Sequence, residues 1–107
     1  MGQVKERLVL TDLNGNPVSD LHMGDQVTFE VTSDLEYPNV SVEGYQGGKL
    51  VYGESHGWWP GAMGGHTFTL GPTQLWTAGD ADCRAYIYDP TKQHVHELGE
   101  IDFHVSG

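Results

Sequence analysis

Positive charge is scarce in this 107-residue chain: five Lys and Arg stand against fifteen Asp and Glu, for a formal net charge of −10. Neutralising a phosphate backbone needs clustered Lys and Arg, so nucleic acid is not an expected partner. Cysteine is reduced to Cys83, which excludes an intramolecular disulfide and a zinc site built on several thiolates. No apolar run approaches the roughly 20 residues that cross a bilayer as a helix. The opening Met1-Gly2-Gln3-Val4-Lys5-Glu6-Arg7 has no apolar signal-peptide core. The expectation is a protein without a membrane span, made without a visible export signal. Helical periodicity is also missing, because no long window repeats its apolar positions every 3.6 residues.

What the chain does have is alternation. Val27, Phe29 and Val31 alternate with Thr28, Glu30 and Thr32, the period of a half-buried strand. The same pattern returns at Val40–Glu43, Thr67–Leu70, Cys83–Tyr88 and Ile101–Val105, with shorter runs at Leu8–Leu10 and Leu50–Tyr52. Asn14-Gly15-Asn16-Pro17, Met23-Gly24-Asp25, Gln46-Gly47-Gly48-Lys49 and Asp89-Pro90-Thr91-Lys92 punctuate these runs with turn residues. About seven short strands between Gly/Pro turns predict an all-β, two-sheet sandwich over residues 1–107 as one domain. Phe29, Val31, Val42, Phe68, Ile87, Phe103 and Val105 are its expected core, with Cys83 beside them as an inert buried thiol.

Met23-Gly24-Asp25-Gln26-Val27-Thr28-Phe29-Glu30-Val31 resembles the glycine-aspartate turn that opens the second strand of bacterial and phage immunoglobulin-like domains. Ala78-Gly79-Asp80-Ala81-Asp82-Cys83-Arg84-Ala85-Tyr86-Ile87-Tyr88-Asp89 is similar to their penultimate strand. The resemblance covers most of the chain. It lacks the second cysteine and the third-strand Trp of the antibody type. It implies an immunoglobulin-like sandwich used for adhesion, spacing or decoration on a virion or cell surface.

Few groupings point to chemistry. His94 and His96 share a strand face at a spacing that could begin a metal site, with His56, His66 or a carboxylate as a third ligand. Otherwise they are the polar face of a hairpin, and no metal or cofactor is expected. Asp12-Leu13-Asn14-Gly15-Asn16 reads as an Asn-Gly turn, because Met23 stands where a calcium loop starting at Asp12 would place its acid. Asp80 and Asp82 read as turn-capping, solubilising acids, with calcium ligands as the lesser alternative. Neither a nucleophile elbow nor a phosphate loop is present, so an enzyme is not expected.

The most informative stretch is Ser55-His56-Gly57-Trp58-Trp59-Pro60-Gly61-Ala62-Met63-Gly64-Gly65, read as a long loop with two of the three tryptophans. Adjacent residues of an extended segment point to opposite sides. One indole can therefore pack on the sandwich while the other anchors a partner. In the alternative, both cap the core. Trp58, Trp59, Met63 and Tyr52 are the expected partner-binding residues, and Tyr37, Tyr45, Tyr86 and Tyr88 could enlarge the surface. The expected role is a non-catalytic structural or adhesion module, a decoration protein of a phage capsid or tail, meeting a protein partner in a larger assembly. Its expected location is a virion surface or the extracellular space. The alternative is a carbohydrate-binding module that offers Trp58 and Trp59 to a surface glycan.

Overall fold

The computed structural model describes residues 7–59, 61–62, 65–71, 74–89 and 99–107. Eight strands follow one another: β1 (Arg7–Thr11), β2 (Leu21–His22), β3 (Gln26–Thr32), β4 (Asn39–Gln46), β5 (Lys49–Gly57), β6 (Phe68–Thr69), β7 (Ala81–Tyr88) and β8 (Gly99–Ser106). They form a three-stranded sheet in the order β1-β3-β6 and a five-stranded sheet in the order β2-β8-β7-β4-β5. The chain is an all-β, two-sheet sandwich, and no helix occurs among the described residues.

Alternation decides which side chains enter the core. Val40 and Val42 of β4, Cys83, Ala85 and Ile87 of β7, and Val105 of β8 are buried on the inner face of the larger sheet. Leu8 and Leu10 of β1, Val27 and Phe29 of β3, and Phe68 of β6 meet them from the smaller one. Leu70, Tyr52 and Trp76 extend the same cluster, with the Tyr52 and Trp76 rings edge to face at 5.7 Å. The tight β4–β5 hairpin turns on Gly47 (φ 59°) and Gly48 (φ 79°), a pair of left-handed positions that Gly fills without a Cβ penalty.

Three expectations need correction. Val31 and Phe103 point inward but are only partly buried. Phe103 sits on β8, which only the two-residue β2 separates from the sheet margin, and three strands cannot cover the full width of five. The loop expected from Ser55 starts later, because β5 continues through Ser55, His56 and Gly57, each paired with β4. An eighth strand, β2, pairs parallel with β8 through Leu21↔Val105 and His22↔Ser106.

The Asn-Gly segment is a turn closed by its own acid. The Asp12 Oδ1 accepts N–H bonds from Asn14 and Asn16, both 2.9 Å long, and Gly15 N–H donates to the Asp12 carbonyl at 3.1 Å. Donation by the Asn16 N–H, with help from Asn14, holds the Asp12 carboxyl below the usual carboxylate range.

Candidate functional site

The two adjacent tryptophans leave β5 on opposite sides of the sheet. Trp58 turns inward. Its ring lies nearly parallel to Phe68 at 5.8 Å and edge-on to Phe29 at 6.3 Å, and the His66 imidazole stacks on it at 4.3 Å. A backbone bond of 2.8 Å from Trp58 N–H to the Pro38 carbonyl fixes where the chain leaves the strand. Trp58 is half-buried and packs against the core.

Trp59 turns outward. Gly57 pairs with Asn39 on the face directed away from the smaller sheet, and a Cβ at Gly57 would overlap the six-membered ring of Trp59. The indole therefore fills the space that a side chain at position 57 would need. Tyr37, exposed at 42%, meets Trp59 edge to face at 5.4 Å. This pair forms an aromatic corner where β4 begins and β5 ends. Gly57→Ala is expected to displace the Trp59 ring while leaving the Trp58 cluster in place. Tryptophan fluorescence should shift to the red as that ring becomes wetter, and an unchanged spectrum would place Trp59 elsewhere.

Tyr52 does not join the corner. It is buried at 8% exposure and donates to Glu54 Oε2 at 2.5 Å, while Glu54 Oε1 meets His56 Nε2 at 2.8 Å. Burial, then the bond to Glu54, pushes the Tyr52 hydroxyl pKa well above its ordinary value. Met63, His94 and His96 lie outside the described residues. Among the described residues, no three His, Cys, Asp or Glu side chains converge in a metal-holding group. Cys83 is buried, and that burial pushes its thiol pKa up to about 12, which leaves it protonated.

A second cluster lies at the other end of β7. His104 Nδ1 meets Asp82 Oδ1 at 2.9 Å, and its Nε2 stands 3.6 Å from Asp80 Oδ2. The bond to Asp82, aided by the charges of both acids, raises the His104 pKa above 6.5. Arg84 and Asp102 share the adjoining hollow, and Asp20 and His22 line a second hollow with His104 on the β2 side. A folded-state value above the unfolded one makes this contribution complete below about pH 6.5 and lost as pH rises through the elevated value. By proton NMR, the His104 ring is expected to titrate above 6.5, and Asp82→Asn should return its midpoint toward the ordinary histidine value. An unmoved midpoint would remove Asp82 as the cause.

Sequence pattern picked out the two tryptophans but missed His66 as the stacking partner of Trp58 and Gly57 as the seat of Trp59. The available signal was a Gly immediately before two aromatics at a strand end. Among the described residues, no helix is long and apolar enough to cross a membrane. The chain matches no family model, no curated protein and no solved structure.

Proposed function

We propose that this protein is a non-catalytic attachment module of the immunoglobulin-like type, bound to a protein partner in a larger assembly through the Trp59–Tyr37 corner. The setting proposed is the outside of a virion, as a decoration protein of a phage capsid or tail. The observation that carries the attachment reading is the placement of Trp59: outside the core, seated on Gly57 and braced by Tyr37. A large, pre-positioned aromatic group at a surface loses little freedom on binding and suits a hot spot. The strand order supports the immunoglobulin-like type, since the first two strands divide between the sheets and β2 runs parallel to the last strand. The Tyr37 ring stands at 82° to the Trp59 ring, so the two do not make one continuous flat platform for a sugar ring.

A photo-crosslinking residue placed at position 59, in the cell that encodes the chain, tests this reading. Position 59 is expected to crosslink to one protein that sediments with a large particle. The same residue at Leu13, exposed on the far turn at 53%, should give no such product. Equal crosslinking at both positions, or none at 59, would overturn it. So would a change in tryptophan emission on adding soluble polysaccharides, in favour of a glycan ligand.

A further inference from the structure

The outer face of the five-stranded sheet carries two chemistries side by side. The register Asn39↔Tyr88, Ser41↔Tyr86, Glu43↔Arg84 and Tyr45↔Asp82 sets neighbours across β4 and β7, and Arg84↔Asp102 and Asp82↔His104 continue onto β8. In the half nearest Trp59, Tyr86 and Tyr88 lie 5.7 Å apart beside Asn39, Ser41 and Ser55. The two serines are tied by a 3.0 Å hydroxyl bond, a small and polar floor. In the other half, Glu43, Asp82 and Asp102 gather near Arg84, which is already 3.3 Å from Glu100 and 5.2 Å from the Tyr86 ring centre. A shallow hollow of about 620 Å³ opens there, lined in part by Tyr45, Asp82, Asp102 and His104.

Tyr and Trp beside Ser, Asn and Gly provide rigid contact area with adaptable hydrogen bonding, the composition that protein-binding loops favour. The acidic half adds a sign. A neighbour with like charge is repelled, and one with opposite charge is steered in and held in register. We infer that this face docks a cationic protein surface, with an apolar side chain on the Tyr86–Tyr88–Trp59 half and Lys or Arg over the Asp82–Asp102 half. The inference rests on the attachment reading and adds the partner's charge and the area it covers. A second copy fits poorly, because each chain brings a net charge of −10.

The probe is an octapeptide of four Leu followed by four Lys, compared with one of four Leu followed by four Glu, added to isotope-labelled protein and followed by NMR. The Lys–Leu peptide is expected to shift β7, β8 and the Trp59 indole N–H, and to bind about tenfold or more tightly than the Glu–Leu peptide at low salt. Moderate salt should erase most of that difference. Tyr86→Ser with Tyr88→Ser should weaken the Lys–Leu peptide about tenfold, and Glu30→Gln on the smaller sheet should not. If the double variant does not fold, Tyr86→Ser alone serves, with a few-fold loss expected.

Shifts spread equally over Asp12, Glu30 and Asp34 would overturn the inference, as would equal binding of the two peptides. Concentration-dependent shifts of the same face without peptide would replace the cationic partner with a second copy. A crosslink at position 59 without peptide preference would keep the attachment and overturn the cationic partner. The reverse pair of results would keep the docking face and overturn attachment at the corner.

Discussion

Phe68→Ala is expected to lower the unfolding free energy by about 3–5 kcal/mol, at least a fifth of the roughly 5–15 kcal/mol that holds a domain of this kind folded. Phe68 is fully buried, at 0% exposure. It sits in β6, a strand of only two residues whose hold on the sheet is the pairing of Phe68 with Val27 and of Thr69 with Gln26. Its ring meets Phe29 at 5.5 Å and His56 at 4.8 Å, both edge-on, and lies nearly parallel to Trp58. Removing it deletes a transfer term and leaves a cavity that the three other rings, Phe29 on β3, His56 on β5 and Trp58 just beyond it, cannot close. Urea denaturation should show a lower midpoint with an unchanged slope. A loss under about 1 kcal/mol would mean that the cluster collapses into the space and that β6 is held by other contacts.

The second large effect separates two neighbours in the sequence. Trp58→Ala is expected to cost about 2–3 kcal/mol, somewhat under the value for a fully buried aromatic, because the ring is half-buried but stacked on Phe68 and His66. Trp59→Ala should cost about 1 kcal/mol, because its ring, though also half-buried, packs on Gly57 and Tyr37 outside the core. Removing both would therefore unsettle the fold through Trp58 alone, and only the Trp59 change reports cleanly on attachment. Thermal unfolding of the two single variants decides the matter. Equal losses would contradict the opposite placement of the two rings.

The strands were legible where alternation was long enough to name an inner face. β3 shows this well: Val27 and Phe29 are buried, and Glu30 between Phe29 and Val31 is exposed. β2 was not legible, since Leu21 and His22 are too few to display a period and form a strand only because β8 runs beside them. The extension of β5 through Ser55-His56-Gly57 was hidden for a different reason. Its polar and glycine residues carry no apolar signal, and their strand character comes from pairing with Asn39, Val40 and Ser41. Adjacent tryptophans at a strand end implied opposite directions. Which one enters the core depended on the parity of β5, which only its pairing with β4 sets. Tyr52 falls among the buried residues because of that same parity.

The parallel pairing of β2 with β8 has a mechanical consequence. Tension applied at Arg7 and Gly107 pulls these two strands past each other lengthwise, because they run in the same direction. The bonds between them, including the 2.8 Å bond from Met23 N–H to the Ser106 carbonyl, lie across that pull and share the load. A hairpin pulled from its open end parts one rung at a time, whereas strands loaded in this way must slip together. A force entering at Arg7 meets the pairing of β1 with β3 first, and once that parts the short β2 is the clamp that carries the load across to β8.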